Sequence, residues 1–198
     1  MVEFEIDGQK VQAQEGWTVL ETARNYGIHI PTLCYHEAVK PSGACRLCVV
    51  ELREGDWSKV VISCMYPVAE GLKVFTDSER VRNVRRWILE MLLAECPASE
   101  EIRQLAAQYG VTSTRFAIHD PDQDCILCGL CVRVCAEVVG ANAISTVGRG
   151  VHKQIGAPYL EPRSDCVACG SCVTVCPTGA MRRRLDAVRG KPKVELAR

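Results

Sequence analysis

The chain has no excess of charge of either sign, few aromatic residues and no long apolar segment. Its 198 residues include 24 basic and 24 acidic side chains, and only 6% of the residues are aromatic. No stretch reaches the roughly 18 consecutive apolar residues of a membrane span, and the N-terminus lacks the charged and apolar regions of a signal peptide. The balanced charge excludes the basic footprint of a nucleic-acid-binding protein. We therefore expect a cytoplasmic protein with no nucleic-acid partner and no membrane span, with at most a peripheral place on a membrane complex.

Cysteine is the residue present in excess, with 13 in the chain. A disulfide scaffold is typical of shorter, secreted chains, whereas clustered cysteines in an intracellular chain more often hold metal. The sequence also lacks a G-x-G-x-x-G segment after a strand, and no nucleophile is paired with a histidine in a recognisable motif. We therefore expect metal-centred chemistry and no substrate-converting site in this chain.

The first part of the chain predicts a small α+β domain. Residues 2–14 alternate apolar and polar positions around Asp7-Gly8, as in a β-hairpin. A capping box at Thr18 predicts a helix that ends at about Tyr26. Further strands are predicted at 47–53, 59–63 and 72–75. This order of elements favours one sheet with a helix packed across it.

Four cysteines belong to this domain: Cys34, Cys45, Cys48 and Cys64. Two cysteines on one short loop, with single cysteines before and after it, can wrap a small inorganic cluster. The ten residues between Cys34 and Cys45 exclude the plant-ferredoxin loop, which has four there. Zinc is the alternative occupant. A Rieske site is excluded because Cys48 stands where a histidine is needed.

The same residues resemble a known family. The segments IPTLCYHE (30–37) and SGACRLCVVE (42–51), followed by Cys64, are similar to the N-terminal region of the large iron–sulfur subunit of NADH:quinone oxidoreductase. In the resembled family, that region also lies at the N-terminus of many [FeFe]-hydrogenases and NAD-linked formate dehydrogenases, and it forms the small diaphorase subunit of NAD-reducing hydrogenases. The resemblance implies that residues 1–77 are a ubiquitin-like β-grasp domain whose four cysteines bind a [2Fe–2S] cluster.

Residues 78–116 predict a helical linker in which a further cluster site has been lost. Helices are predicted to start at Ser78 and Ser99, the second ending at Gly110. Their apolar stripes contain Val81, Val84, Ile88, Met91 and Leu92, and Ile102, Leu105, Ala106 and Tyr109. Members of the resembled family commonly carry here a histidine and three cysteines that bind an extra [4Fe–4S] cluster. This chain has no histidine between His36 and His119, so we expect that cluster to be absent and Cys96 not to be a ligand.

Two cysteine segments repeat each other at an offset of 41 residues: CILCGLCVRVC at 125–135 and CVACGSCVTVC at 166–176. Each has C-x2-C-x2-C-x3-C spacing, and Pro177 completes the bacterial ferredoxin run in the second copy, where the first copy has Ala136. Zinc sites do not need this tripled spacing. In two-cluster ferredoxins the fourth cysteine crosses to the other cluster. We therefore predict one [4Fe–4S] cluster on Cys125, Cys128, Cys131 and Cys176, and a second on Cys135, Cys166, Cys169 and Cys172.

Residues 117–198 are thus predicted to be a two-cluster ferredoxin-like domain with a basic tail. Between the copies we expect a strand at 144–147 and a loop from Arg149 through Pro158 and Pro162. The basic residues of the tail are Arg182, Arg183, Arg184, Arg189, Lys191 and Lys193. We interpret them as a solvated end, and the alternative is a docking strip for a partner.

Twelve of the thirteen cysteines are used in this assignment, and cysteine-ligated clusters exchange single electrons. We therefore expect an electron-transfer subunit of a hetero-oligomeric, NAD(P)-linked oxidoreductase, such as a hydrogenase, formate dehydrogenase, transhydrogenase or electron-bifurcating complex. The resemblance implies that FMN and NAD(P) belong to a partner, a flavin-containing subunit that oxidises NAD(P)H. A catalytic or second redox subunit is expected at the ferredoxin-like end. The alternatives are a succinate dehydrogenase-type iron–sulfur subunit and a non-enzymatic iron–sulfur sensor or scaffold.

Overall fold

The computed structural model of the chain describes residues 1–157 and 165–189. Of the predicted features, Pro158 and Pro162 of the loop and Lys191 and Lys193 of the tail lie outside the described residues.

The N-terminal part contains a five-stranded mixed sheet of strand order β2-β1-β5-β3-β4. The strands are β1 (Val2–Ile6), β2 (Gln9–Ala13), β3 (Val49–Glu54), β4 (Trp57–Ile62) and β5 (Lys73–Phe75). β1 pairs with β2 antiparallel and with β5 parallel, and β3 is antiparallel to both of its neighbours. The hairpin is confirmed, since Asp7 (φ 49°) and Gly8 (φ 84°) adopt the positive φ angles of a tight two-residue turn.

One helix, α1 (Val19–Asn25), packs on this sheet and completes the α+β fold. The capping box at Thr18 is formed, because its hydroxyl accepts from the Glu21 amide at 3.3 Å and its own amide donates to the Glu21 carboxylate at 2.7 Å. The alternating residues of β1 and β2 turn inward against the helix. The buried core includes Phe4, Ile6, Val11, Val19, Leu20, Val50, Leu52 and Val74.

The two linker helices, α2 (Glu79–Glu95) and α3 (Glu100–Gln108), pack against the N-terminal domain rather than span a gap. Ser78 and Ser99 cap them as predicted. Arg85 is buried and donates to the carbonyl oxygens of Leu47 and Val49, at 3.3 and 2.8 Å. The helices and the loop that carries Cys45 therefore share one core.

The buried stripe of α2 differs in part from the prediction. Val81 and Ile88 are buried as expected, but the other buried apolar residues of the helix are Leu89 and Leu93. Met91 and Leu92 are only partly buried. The buried face of α2 is rotated from the predicted one because the helix packs against both β3 and α3. The face that carries Met91 lines an open groove instead.

The C-terminal part is built from the two cysteine segments and short elements between them. The first segment leads into α4 (Leu130–Arg133), which continues as a π-helix, Val134–Val139. A β-ribbon follows, formed by β6 (Ser145–Val147) and β7 (Gln154–Gly156). The second segment leads into α5 (Ser171–Thr174), and α6 (Ala180–Arg189) comes after it. The predicted strand near residues 144–147 is confirmed.

Candidate metal centres

The four cysteines of the N-terminal domain converge in one buried region. Cys34 follows α1 on a loop, Cys45 and Cys48 lie on the tight loop before β3, and Cys64 follows β4. All four are at least 92% buried. The antiparallel pairing of Val49 with Ile62 brings the end of the Cys48 loop beside Cys64. The fold therefore assembles a thiol set from three separate loops.

The sulfurs of this region form two close pairs. The thiol of Cys45 lowers the pKa of Cys34 to about 5 by hydrogen bonding to it, and the same bond together with burial raises the pKa of Cys45. In the other pair, the thiol of Cys64 lowers the pKa of Cys48 to about 6, and the pKa of Cys64 rises for the same reasons. A thiol must lose its proton to bind a metal, and a lowered pKa favours that loss. Two thiolate pairs suit a [2Fe–2S] core, in which each iron takes two protein sulfurs.

The loop around these cysteines depends on two residues with positive φ. Arg46 (φ 60°) turns the chain between Cys45 and Cys48. Gly43 (φ 61°) allows a close approach, because a Cβ there would lie 2.7 Å from Ile62 and 2.8 Å from the Met65 sulfur. The amide of Cys45 consequently points at the Cys34 sulfur, 3.4 Å away. Such amide-to-sulfur bonds are those that stabilise bound clusters.

The loops of the two ferredoxin-type segments share their positive φ angles. The residue before the second cysteine has positive φ in both copies, 51° at Leu127 and 53° at Ala168. The glycine after that cysteine is also left-handed, with φ 70° at Gly129 and 76° at Gly170, and each glycine starts the following helix. The repeat in the sequence is thus a repeat in three dimensions.

Each predicted [4Fe–4S] ligand set lines a single cavity. Cys125, Cys128, Cys131 and Cys176 surround a small cavity closed by Ile155 and Met181. Cys135, Cys166, Cys169 and Cys172 line a separate, more open cavity of about 480 Å³. The fourth cysteine of each segment therefore lies with the first three of the other segment. Cys135 lies within the π-helix, whereas Cys176 lies just beyond the end of α5.

The surroundings of the sulfurs fit clusters in both cavities. The amides of Leu127 and Ala143 donate to the sulfurs of Cys125 and Cys135, at 3.4 and 3.3 Å. Within 1–157 and 165–189, no three histidine, cysteine or carboxylate side chains are grouped to hold a single metal ion. The cysteines are instead arranged around cavities.

The cysteines of the two segments differ in exposure. Cys125, Cys131 and Cys135 are buried, and burial raises the pKa of Cys128 to about 11 and that of Cys131 to about 12. The negative charge of Cys34, which belongs to the N-terminal site, also raises the pKa of Cys128. Cys166 and Cys169 are exposed, and the pKa of Cys169 is lowered by a hydrogen bond with the Ser171 hydroxyl.

The thirteenth cysteine is buried outside all three groups. Cys96 is fully buried at the end of α2, and its thiol donates to the Leu92 carbonyl at 3.0 Å. Burial raises its pKa to about 12. It lies in the core that α2 and α3 share with the N-terminal domain.

Comparison with known proteins identifies the family. A model described as a 2Fe-2S iron-sulfur cluster binding domain matches residues 1–79, and a 4Fe-4S dicluster domain matches residues 124–180. A chain in the crystal structure of an NAD+-reducing [NiFe]-hydrogenase in its H2-reduced state is 32% identical, with a TM-score of 0.76, and the match covers 90% of this chain and 85% of that one. The chain belongs to the iron–sulfur subunit family of NADH:quinone oxidoreductases and NAD-reducing hydrogenases.

Curated relatives agree with this membership. The 78 kDa subunit of the mitochondrial NADH-ubiquinone oxidoreductase of Candida albicans is 32% identical over 96% of this chain and 30% of its own length. The alpha subunit of the NADPH-Fe(3+) oxidoreductase of Geobacter sulfurreducens is 37% identical over 76% of this chain and 20% of its own length. The chain thus spans between 20% and 30% of the length of these family members.

The family membership confirms the predicted fold class and cluster types. The N-terminal α+β domain is a [2Fe–2S] domain, and the C-terminal part is a domain for two [4Fe–4S] clusters. The zinc alternative is not supported. Among the described residues, no helix is both long and apolar enough to cross a membrane.

Sequence reasoning missed the residues that connect the two domains. Arg133 on α4 reaches back to the loop that carries Cys34, where it donates to the Cys34 carbonyl at 2.8 Å. Two arginines of the predicted basic tail make contacts within the domain: Arg183, which is exposed, pairs with Asp124 at 2.7 Å, and Arg184 donates to the Ile155 carbonyl at 3.2 Å.

Proposed function

We propose that the chain relays single electrons through three clusters, within a larger NAD(P)-linked oxidoreductase. The relay starts at a [2Fe–2S] cluster on Cys34, Cys45, Cys48 and Cys64. It continues to a buried [4Fe–4S] cluster on Cys125, Cys128, Cys131 and Cys176, and ends at an exposed [4Fe–4S] cluster on Cys135, Cys166, Cys169 and Cys172. The corresponding domains are 1–77, the linker 78–116, and 117–198.

The observation that carries this proposal is the packing of two of the sites against one core. Cys128 packs against the core that contains Cys34 and Cys45, and the charge of Cys34 contributes to the raised pKa of Cys128, so the [2Fe–2S] region and the first cubane cavity are close neighbours. The cavity lined by Cys135, Cys166, Cys169 and Cys172 is exposed to solvent at Cys166 and Cys169. This order supports a path that needs no histidine-ligated cluster between the first two centres.

The partners follow from the two ends of this path. A flavin-containing subunit that oxidises NAD(P)H with FMN docks at the [2Fe–2S] end, and a catalytic or second redox subunit accepts electrons near the exposed loop at Cys169. The relatives named above are subunits of an NADH-ubiquinone and an NADPH-Fe(3+) oxidoreductase. The cytoplasm is the compartment that suits such a complex. No substrate is converted in this chain, because its own residues only hold clusters and tune them.

Anaerobic purification tests the proposal. We expect about ten irons per chain, as three clusters of these types require, co-purification with a flavoprotein, and reduction of all three clusters by NADH or NADPH in its company. About fourteen irons would contradict the lost fourth site. Full iron content without any NAD(P)H-dependent reduction would instead support a sensor or scaffold.

A further inference from the structure

The loop that follows Cys34 is fastened to the first repeat at both of its ends. The guanidinium of Arg133 donates to the Cys34 carbonyl at 2.8 Å through Nη2, and to the Lys40 carbonyl through Nη1. The Lys40 amide in turn donates to the Glu137 carboxylate at 2.9 Å. Beneath these bonds, Val39 is buried against Leu130 and Val134. One helix therefore holds a loop that is more than 90 residues away in sequence.

The residue that allows this arrangement is Ala136. Because it stands where the second repeat has Pro177, the first helix continues through Val139 and presents Glu137 to the Lys40 amide. In the second repeat the helix ends at Thr174, which occupies the position of Arg133 and only bonds locally to the Gly170 carbonyl. The connection thus belongs to one repeat alone.

The charge of Arg133 is placed between two cluster sites. Its described hydrogen bonds go to carbonyl oxygens, and its buried Nε has no partner among the described residues. Its carbonyl partner belongs to Cys34, a [2Fe–2S] residue, and its own helix carries Cys131 and Cys135. A cluster with four thiolates carries about −2 when oxidised, and a nearby positive charge favours the addition of an electron.

We propose that Arg133 is a positioning residue that fixes the spacing between the [2Fe–2S] cluster and the first [4Fe–4S] cluster and raises the reduction potential of the [2Fe–2S] cluster. This inference rests on the cluster assignment in the proposed function, and it adds a residue that holds no metal itself. Mutation of a residue that hydrogen-bonds to a metal ligand typically lowers metal affinity or activity about 10- to 100-fold.

The test compares three variants of the full chain, purified with its clusters under anaerobic conditions and reduced with dithionite. Arg133→Gln removes the positive charge. Arg133→Lys keeps the charge but cannot donate to the Cys34 and Lys40 carbonyls through two separate nitrogens. Thr174→Val is the control at the equivalent position of the second repeat. Redox titration followed by EPR measures the [2Fe–2S] potential, and the magnetic interaction between the reduced clusters reports their spacing.

We expect Arg133→Gln to shift the [2Fe–2S] potential downward and to weaken the magnetic interaction. Arg133→Lys restores most of the potential but not the interaction, and Thr174→Val leaves both at their original values. An Arg133→Gln variant that keeps full iron content, the original potential and the original interaction would overturn the proposal.

A second variant covers the case in which Arg133→Gln fails to retain its clusters. Glu137→Ala leaves the arginine in place but removes the acceptor of the Lys40 amide, and we expect faster hydrogen exchange at the Lys40 amide and a weaker magnetic interaction with an unchanged iron content. Unchanged exchange and interaction in this variant overturn the proposal. Neither test uses NAD(P)H or a flavoprotein, so a failure of the proposed function is seen separately, as absence of NAD(P)H-dependent reduction.

Discussion

The two cysteine repeats have identical spacing and nearly identical backbone angles, yet their surroundings differ. The first repeat is buried: Cys125, Cys131 and Cys135 are at most 9% exposed, and its helix is fastened to the N-terminal domain through Arg133. The second repeat exposes Cys166 and Cys169, and Val167 between them is 66% exposed. The spacing of the cysteines therefore determines what kind of cluster is held. The flanking residues determine whether that cluster is internal or accessible to a partner.

Replacement of one central cysteine in each repeat is expected to have the largest effect on cluster content, and the two replacements should differ. We expect Cys128→Ala to lose the first [4Fe–4S] cluster, about four irons per chain, and also to weaken retention of the [2Fe–2S] cluster, because Cys128 packs in the core that includes Cys34 and Cys45. Cys169→Ala loses a similar amount of iron but leaves the other two clusters intact. Iron and sulfide analysis with EPR measures both. Equal damage to the [2Fe–2S] signal in the two variants would contradict the difference in surroundings.

Chelation of iron from the unmodified protein compares the accessibility of the two [4Fe–4S] clusters. A chelator combined with a mild oxidant reaches exposed thiolates first, so we expect the second [4Fe–4S] cluster to be lost before the other two. The time course of iron release should show an early phase of about four irons and a slower remainder. A single phase in which all clusters disappear together would show that Cys166 and Cys169 give no special access.

Exchange of the residues that follow the repeats tests what Ala136 contributes. Ala136→Pro ends the first helix early and removes the Glu137 contact, and a proline inside a helix costs about 3 kcal/mol. We expect the melting temperature of the cluster-loaded chain to fall by roughly 10 °C. The matched control, Pro177→Ala, lies after the end of α5 and should change the melting temperature much less. Equal shifts for the two substitutions would contradict the role given to Ala136.

The smallest effect is expected at Cys96, which lies beside the first repeat. Cys96→Ala removes a buried sulfur and one hydrogen bond, so we expect a destabilisation of about 1 kcal/mol with the iron content unchanged. Calorimetry and iron analysis of the same preparation measure the two quantities. Loss of iron in this variant would show that Cys96 is a ligand after all.

Much of the fold was predictable because its signals are local. The alternation around Asp7-Gly8, the capping box at Thr18 and the capping serines before α2 and α3 are each encoded within a few residues. The grouping predicted for the eight cysteines of the two repeats also rests on spacing, because the crossed pattern of two-cluster ferredoxins is a property of the repeat itself.

The connection between the domains was not predictable in the same way. Arg133 and Glu137 look like ordinary surface residues of a short helix, and their partners near Lys40 lie more than 90 residues away. The replacement of proline by Ala136 was visible in the sequence, but its consequence, a continued helix, depends on tertiary packing. The contacts of Arg183 and Arg184 likewise depend on where the fold places Asp124 and Ile155.

Rapid-freeze EPR tests the electron path most directly. The chain, in complex with its flavoprotein partner, is mixed with NAD(P)H and frozen at successive times, with Cys128→Ala beside the unmodified protein. We predict that the unmodified chain reduces its [2Fe–2S] cluster and both [4Fe–4S] clusters, while the variant reduces only the [2Fe–2S] clusters that it retains and leaves the exposed [4Fe–4S] cluster oxidised on the same timescale. Reduction of the exposed cluster at the original rate in the variant would contradict a relay that passes through the first repeat.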